Sequence, residues 1–322
     1  MIEEILPRIF RIKLPLPRNP LRELNSYLIR SKERSLLIDT GMNREECRNV
    51  IVESLRQLDV DLERMDIFIT HHHADHLGQT AFLARTGSKA YIHKEELSTV
   101  GNEATWQAML RFFASNGFPE QELQSALASH PGHRYQLRDK VNFSYVDEGD
   151  LISAGDYYFR CVITPGHSPA HTCLYEASKK ILVSGDHILF DITPNISQQF
   201  AQTNPLKDYI ASLDKVYPLE ANITLPGHRD ISNNHRKRIG ELKHHHQERC
   251  NEVLEALSSG EHTAFEVASQ ISWDIDAETW ELFPPRQKWF AIGETLAHIK
   301  LVEEEGRVRC RCINGQFWFS LS

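Results

Sequence analysis

THHHADHLG, residues 70–78, directly follows the apolar run 67–69. An apolar run of this kind predicts a buried strand, and the nine residues after it form the strand end and the loop beyond it. Side chains alternate between the two sides of an extended chain, so His71 and His73 point to one side and His72 to the other. Two imidazoles on the same side form a chelating pair for a metal ion.

An aspartate and a fourth histidine complete the motif. Asp75 and His76 fall at the start of the next predicted helix, where the chain turns and both side chains can project back over the strand end. With His71 and His73 they give four candidate ligands within six residues. The alternatives are a solvated polar loop or buried histidines that are satisfied by hydrogen bonds, and the spacing HxHxDH favours a metal site over both.

Three further candidate ligands each lie just past a run of Ile, Val and Leu, on a turn that contains glycine. They are His167 in CVITPGHS, Asp186 in ILVSGDH and His228 in ITLPGH. Because ligands sit on loops held by a rigid scaffold, all of these can converge on one edge of a sheet. A tetrahedral zinc with an open position needs three protein ligands, so seven donors suit two metal ions. Imidazole and carboxylate donors suit zinc and also tolerate iron or manganese.

The elements around these motifs predict a layered α/β fold. Two short strands lie within 26–38, a helix follows at about 45–58, then a strand at 65–70 and a helix from residue 79 that stops near Gly87. A long helical insertion with an apolar stripe occupies 102–130. Further strands are predicted at 157–164, 172–175, 181–183 and 223–225. Alternation of strand and helix favours a sheet with helices packed on it.

The C-terminal part has a different character. A charged helical stretch begins near residue 233, and residues 261–322 carry their own aromatic core and end in RVRCRCI and QFWFSL, which flank the hairpin signal Asn314–Gly315. Three helical segments followed by a two-stranded wing predict a winged-helix module. The predicted domains are therefore 1–235, which carries the metal site, and 236–322, a connecting helix with the winged-helix domain.

Composition and charge narrow the class of protein. The 322 residues include 44 acidic and 36 basic side chains, a net charge of -8, which is not the footprint of a polyanion-binding protein. The start, MIEEILPRIF, is acidic where a secretory signal is basic, and no apolar stretch is long enough to span a bilayer, so we expect a cytoplasmic protein without a membrane segment. The six scattered cysteines do not predict a disulfide framework.

Together with LIDTG at residues 37–41, these motifs resemble the five-motif signature of the metallo-β-lactamase superfamily, in the binuclear form found in glyoxalase II, over about residues 5–230. The resemblance implies an αββα sandwich with two divalent metals, zinc above all, at one edge. It implies a bridging role for Asp186 and a supporting role for Asp39, which would hold the ligand loops without binding metal. It assigns three ligands to each metal: His71, His73 and His167 to the first, and Asp75, His76 and His228 to the second.

The metal chemistry predicts the reaction type. A water shared by two metals becomes hydroxide near neutral pH, and Asp75 can accept a hydrogen bond from it and aim it. The favoured function is hydrolysis of a small-molecule thioester, lactone or related acyl compound, with Asp75 and Asp186 as catalytic residues. The C-terminal stretch RIGELKHHHQER, 238–249, is similar to a branch of the superfamily that appends a winged-helix domain and includes a relative that cleaves single-stranded RNA.

Three other functions stay open. An endoribonuclease with the same metals needs a basic groove, for which the candidates are Arg134, Arg138, Arg236, Lys237, Arg238 and Lys243. A winged-helix DNA-binding regulator with a metal-sensing domain is disfavoured, because the last 62 residues hold ten acidic and six basic side chains and the segment 291–306 is apolar and then acidic. The third is a metal-binding domain without activity. The 102–130 insertion can serve a homodimer interface or close over the pocket.

Several other polar residues have competing interpretations. His171, in GHSPAH, either donates a hydrogen bond to a ligand carboxylate or packs within its loop. The run 244–246 lies on a predicted helix, where neighbours point about 100° apart and cannot chelate one ion. Arg229 stands where the superfamily usually has glycine or alanine, which changes the expected pocket shape beside the second metal. Four more histidines are candidates for the pocket lining: His93, His130, His133 and His187.

Overall fold

The computed structural model describes residues 1–98, 100, 102–137 and 139–322, and in it seven strands pair in chain order into a first sheet. These strands are β1 (Ile2–Leu6), β2 (Ile9–Pro15), β3 (Glu23–Ile29), β4 (Ser35–Ile38), β5 (Met65–Phe68), β6 (Ala90–His93) and β7 (Phe143–Val146). The pairs from β1 to β4 are antiparallel, and those from β4 to β7 are parallel. The predicted strands at 26–38 and 65–70 are confirmed as β3, β4 and β5.

Five strands form a second sheet. They are β8 (Leu151–Ala154), β9 (Tyr157–Ile163), β10 (Thr172–Glu176), β11 (Ile181–Gly185) and β12 (Ile223–Pro226). Their order in the sheet is β12-β11-β10-β9-β8, and only β11 and β12 are parallel among these neighbours. Strands β10 and β11 are buried along their whole length, and each has a neighbouring strand on both sides.

The two sheets face each other and share one apolar core. Ile38 and Phe68 of the first sheet lie in the same buried cluster as Phe159 and Leu174 of the second. The other face of the first sheet packs against the amphipathic helix α1 (Glu45–Gln57), which buries Cys47, Ile51 and Leu55 there. The prediction of a mixed α/β fold with a sandwich of two sheets is therefore confirmed.

Helices lie between and beyond the strands. Within the described residues they are α1, α2 (Ala74–Leu77), α3 (Thr80–Leu83), α4 (Glu103–Ser115), α5 (Glu120–Ser129), α6 (Pro131–Arg134), α7 (Pro205–Val216), α8 (His235–Leu257), α9 (Ala264–Ala268) and α10 (Pro285–Glu304). The predicted helical insertion 102–130 is confirmed but broken, because Gly117 has φ +92 and ends α4. The helix predicted to run from residue 79 to near Gly87 is only the single turn α3. Each helix in the described part of the chain is too short or too polar to span a lipid bilayer.

The chain forms two compact units, each assembled from three segments. The first unit comprises Met1–Gly101, Tyr135–Pro194 and Ser212–Arg238, and it contains both sheets. The second unit comprises Asn102–Arg134, Asn195–Ala211 and Ile239–Ser322. The insertion 102–134 thus packs with the C-terminal residues into one unit. The domain boundary near residue 235 stays a prediction.

The second unit has its own core around α10. Trp289 of α10 is 1% exposed and its ring lies 4.4 Å from that of Phe113 in α4, centroid to centroid. Residues 291–299 of α10 are all buried, so this part of the segment 291–306, the candidate for DNA binding, offers no free face within its unit. The C-terminal hairpin is confirmed as β13 (Val308–Ile313) and β14 (Gln316–Leu321), and its turn Asn314–Gly315 has φ +52 and +81, as a type I′ turn requires.

Candidate metal centre

The candidate ligands follow the carboxyl ends of four strands. THHHADH follows β5 in the first sheet, and His167, Asp186 and His228 follow β9, β11 and β12 in the second sheet. The structure brings all seven donors together in two groups, and within each group the potential ligand atoms lie within 4.8 Å of one another. These groups are the first cluster, His71, His73, His167 and Asp186, and the second cluster, Asp75, His76 and His228.

The first cluster contains three imidazoles whose rings meet edge to face. The ring centroids of His71 and His73 are 4.5 Å apart, and those of His73 and His167 are 4.6 Å apart. The Nε2 atom of His167 lies 3.1 Å from Nδ1 of His73. His71 and His73 therefore point to the same side of the extended loop, as their spacing predicts, whereas His72 turns to Glu96.

The second cluster joins the start of α2 to the loop after β12. Asp75 and His76 lie in this four-residue helix, and its short turn brings both side chains back over the strand end. Oδ2 of Asp75 is 3.4 Å from Nε2 of His228. The rings of His76 and His228 are 5.4 Å apart and nearly perpendicular, so their nitrogens can converge on one point from two directions.

Asp186 lies between the two clusters. Its Oδ2 atom is 3.7 Å from Nε2 of His167 in the first cluster. The same oxygen is 3.5 Å from Nε2 of His76 and 3.5 Å from Nε2 of His228 in the second. One carboxylate thus contacts donors of both groups, and it is 5% exposed.

The buried atoms of the two clusters lack the partners that a closed protein core would provide. Each of the following atoms is buried without a hydrogen-bond partner in the described part of the chain: Nε2 of His71, Nε2 of His76, Nε2 of His228 and Oδ1 of Asp186. Buried polar atoms are normally paired, so a set of orphans aimed at one place calls for a bound group. Burial also lowers the pKa of His71 and His73 well below its usual value, which favours the neutral, metal-binding form.

Carboxylates draw positive charge into the second cluster. Burial alone lowers the pKa of a histidine, but Asp186 and Asp75 outweigh it and raise the pKa of His228 to about 10. Asp186 and Asp39 likewise outweigh burial and raise the pKa of His76 well above its usual value. A divalent cation can take the place of these protons, because the same carboxylates attract it. The donor set and its charge therefore fit divalent metal.

Asp39 holds the ligand loop, as expected of a residue that supports the ligands. It follows β4 with φ +58, a backbone conformation that aspartate tolerates. Oδ2 of Asp39 accepts from Nδ1 of His76 at 2.8 Å, which directs Nε2 of His76 into the cluster. Its Oδ1 accepts from the backbone N–H of Thr70 at 2.9 Å. The backbone carbonyl of Glu23 does the same for His228, accepting from Nδ1 at 2.8 Å.

His171 supports Asp186 through the backbone. Its Nε2 accepts from the backbone N–H of Asp186 at 3.1 Å, and Nδ1 lies 2.9 Å from Oγ1 of Thr164. It therefore contacts a ligand residue, but through the amide and not through the carboxylate. Gly185 and Gly227 leave room for this arrangement: a Cβ on Gly185 would lie 2.5 Å from Nε2 of His171, and one on Gly227 would lie 2.4 Å from Oδ1 of Asp186.

Other predicted features lie outside the two clusters. Arg229 adopts φ +64, and its Nη2 donates to the carbonyl of Pro20 at 2.7 Å. It lines a cavity of about 560 Å³ beside His228, together with Arg22, Glu23, Asp191, Ile192 and Asp230.

His187 is buried in the first unit, with its ring 6.1 Å from that of His171. His93 lies near Asp147, and His130 and His133 pack against Trp106 in the second unit, so none of these three belongs to a cluster.

Glu96, a buried carboxylate beside the first cluster, is not singled out by its sequence context. Its carboxylate is fully buried and hydrogen-bonds to His72 and Ser168, which neighbour ligands of the first cluster in sequence. In the segment KEELS, residues 94–98, Glu95 and Glu96 stand side by side, and Glu95 is exposed. The sequence carries no signal that separates the two glutamates, because both closely follow the segment that forms β6 and only the fold shows which of them is buried.

Comparison with known proteins identifies similar chains. Residues 20–228 match the family described as the metallo-beta-lactamase superfamily. A metallo-beta-lactamase family protein from Thermus thermophilus, known from its crystal structure, is 29% identical in sequence to this chain. The match covers 99% of this chain and 100% of that chain, with a TM-score of 0.84.

Two curated relatives carry functional names. The probable metallo-hydrolase YqjP of Bacillus subtilis is 22% identical over 318 residues, which span 92% of this chain and 92% of that protein. The atrochrysone carboxyl ACP thioesterase of Aspergillus fumigatus is 24% identical over 262 residues, which span 80% of this chain and 67% of that protein.

Proposed function

We propose that this chain, which belongs to the metallo-β-lactamase superfamily and is a metal-dependent hydrolase, holds two divalent metals and hydrolyses acyl substrates. Thioesters are the favoured substrates, and lactones come second. The site would then be of the binuclear kind found in glyoxalase II. The single observation that carries this proposal is the position of Asp186, whose Oδ2 lies 3.5 to 3.7 Å from imidazoles of both clusters. A carboxylate in that place can serve two ions at once, and binuclear hydrolytic sites use ions about 3.5 to 4 Å apart.

The residues that would hold the metals follow from the clusters. His71, His73 and His167 would bind the first ion, and Asp75, His76 and His228 the second, with Asp186 shared. Imidazole and carboxylate donors favour zinc and admit iron or manganese. When bound, two such ions supply a Lewis acid for the substrate carbonyl and hydroxide at neutral pH.

Asp75 provides the carboxylate that orients the attacking water. Burial favours the neutral acid, but His228, whose Nε2 lies 3.4 Å from Oδ2 of Asp75, and the charge of His76 outweigh it and lower the pKa of Asp75 below its usual value. An ionised carboxylate accepts a hydrogen bond from water and so fixes the direction of attack. A serine nucleophile is not needed: Ser184 is buried, and its hydroxyl donates to the carbonyl of Ile188 at 2.9 Å.

Two observations favour an acyl substrate. One relative is named a thioesterase, and the cavity of about 560 Å³ beside His228 has the size of a small-molecule site. Glu23 contacts both the cavity and the second cluster, because it lines the cavity and its carbonyl accepts from Nδ1 of His228. We assign part of the acyl substrate to this cavity.

The structure gives less support to a nucleic-acid substrate. Two of the basic residues that a groove would need are engaged with the fold: Arg236 donates to the carbonyl of Tyr217 at 3.0 Å, and Arg238 to that of Leu189 at 2.7 Å. Arg138, another candidate, lies outside the described residues.

We further propose that residues 236–322 are an appended winged-helix domain in which the buried helix α10 packs against its own unit. A DNA-binding regulator is therefore the weakest alternative.

The test combines metal analysis with a parallel hydrolysis screen of the purified full chain. Acyl thioesters, lactones and single-stranded RNA are offered to the wild type and to Asp186→Ala. We expect about two metals per chain and thioester hydrolysis that depends on Asp186. Fewer than one metal per chain, or thioester hydrolysis that is indifferent to Asp186, would overturn the proposal, and RNA cleavage in its place would select the endoribonuclease.

A further inference from the structure

One carboxylate connects the two loops that supply the three imidazoles of the first cluster. Glu96 lies in the 3-10 turn Lys94–Ser98, which follows strand β6, and its side chain is 0% exposed. One of the loops is THHH, residues 70–73, and the other is the segment 164–171 around His167. Neither loop neighbours Glu96 in the chain, so only the folded structure brings the three together.

Each oxygen of Glu96 serves one loop. Oε2 accepts from the backbone N–H of His72 at 2.8 Å and lies 2.6 Å from Nδ1 of the same residue. Oε1 accepts from Oγ of Ser168 at 2.7 Å and from the backbone N–H of Ala170 at 2.6 Å. His72 stands between two candidate ligands, and Ser168 follows a third. The carboxylate therefore fixes both loops at the positions next to the ligands.

The charge state of Glu96 suits this role. Burial raises the pKa of a carboxyl group, but His72 and the hydrogen bonds from Ser168 and Ala170 outweigh burial and bring the pKa of Glu96 below its usual value. The group is an anion with four donors around it, and such charge-assisted bonds are the stronger ones. A buried anion fully surrounded by donors holds its neighbours in one geometry.

We propose that Glu96 is a positioning residue for the first metal: by tying the histidine loop to the His167 loop, it sets the separation of His71 and His73 from His167 and thereby the affinity of the first cluster. This inference rests on the proposed binuclear site. It also explains the middle histidine of the motif, because Nδ1 of its imidazole supplies one of the four bonds to the carboxylate in addition to the backbone N–H. Residues that orient metal ligands commonly contribute 10- to 100-fold in metal affinity.

The substitution Glu96→Gln isolates this function. Glutamine has nearly the same shape, but its amide has one accepting oxygen and one donating NH2 group. It can serve one loop only, because the NH2 group would face the donors of the other loop. The matched control is Glu95→Gln, which removes the same charge from the exposed neighbour on the same turn.

The measurement is a titration of the metal-free full chain with Co²⁺, followed by visible absorption and by calorimetry. We expect two binding events in the wild type and in Glu95→Gln. In Glu96→Gln one event should weaken about 10- to 100-fold while the other keeps its affinity. The variant Asp39→Asn should weaken the other event, because Asp39 orients His76 of the second cluster. A role in overall folding alone would not weaken one event selectively.

The outcomes separate this inference from the proposed function. Two events of wild-type affinity in Glu96→Gln would overturn the positioning role and leave the binuclear site standing. A wild type that does not bind two Co²⁺ ions would overturn both. If Glu96→Gln does not fold, as judged by circular dichroism, Ser168→Ala decides. It removes one bond to Oε1, and a several-fold loss at one event supports the inference whereas an unchanged titration overturns it.

Discussion

The chain contains the tripeptide His-His-His twice, at 71–73 and at 244–246, and the two copies do different things. The first copy lies in an extended loop after β5, where alternation sends His71 and His73 into the first cluster and His72 to Glu96. The second copy lies in α8, where successive side chains point about 100° apart. Identical residues therefore give a candidate ligand pair in one backbone conformation and three unrelated side chains in the other.

The second copy shows what a histidine pair looks like without a carboxylate. His244 is exposed and lies 3.2 Å from Glu248, whereas His246 is buried with its Nδ1 3.0 Å from Nε2 of His298. Burial lowers the pKa of both His246 and His298, and the charge of Arg249 lowers it further. The guanidinium of Arg249 beside these two neutral imidazoles disfavours a cation, whereas Asp75 and Asp186 attract one. Backbone geometry and carboxylates, and not the number of histidines, distinguish the metal centre.

The largest effect is expected from breaking the first copy. His73→Ala removes one donor of the first cluster and leaves only His71, His167 and the shared Asp186 to hold the first ion. We expect hydrolysis to fall on the order of 1000-fold, because a group that stabilises the transition-state charge is lost. Bound metal should fall from two ions to one. Elemental analysis and kcat/KM on the thioester identified by the screen measure both quantities. Wild-type metal content in this variant would show that His73 is not a ligand.

An intermediate effect is expected from the buried pair of the second copy, and it concerns stability at low pH. Burial lowers the pKa of His298 to about 3, below the value of about 6.5 in an unfolded chain. Below about pH 6.5 the unfolded state therefore binds more protons than the folded state. The stability of the fold with a neutral His298 is fully present above about pH 6.5 and is lost as the pH falls towards 3.

The double variant His246→Leu/His298→Leu tests this assignment, because it replaces both partners by apolar side chains. Between pH 7 and pH 5 its Tm should fall less than the Tm of the wild type. The difference between the two decreases should be a few degrees for each kcal/mol of protonation cost that is removed. Thermal unfolding followed by circular dichroism at matched metal content gives the two slopes. Hydrolysis at pH 7 should stay at the wild-type level. Equal slopes in both proteins would mean that this pair does not carry the acid sensitivity.

Much of the site could be predicted because its determinants are local. His167, Asp186 and His228 each follow a short apolar run and a glycine, and strands buried in this way end at the same edge of a layered fold. The alternation of His71 and His73 is likewise a property of any extended chain. These positions depend on few residues, so sequence alone placed them.

What could not be predicted depends on distant contacts. Glu96 and Glu95 are equivalent in sequence, and only the loops of His72 and Ser168 decide which of them is buried. The composition of the second unit is a similar case, because the insertion 102–134 joins the C-terminal residues across a long stretch of chain. The segment 291–299 is buried in that unit, although its apolar pattern alone does not show which elements cover it.

The smallest effect is expected from the exposed member of the second copy. His244 and Glu248 form an i, i+4 pair on the surface of α8, and the side chain of His244 is 73% exposed. His244→Ala should change the free energy of unfolding by no more than about 0.5 kcal/mol, because such pairs are screened by solvent and alanine favours the helix. Denaturant unfolding measures this change, and the metal content should match the wild type. A loss of metal in His244→Ala would contradict the division between the two tripeptides, because it would place a ligand on the helix that the geometry of α8 excludes.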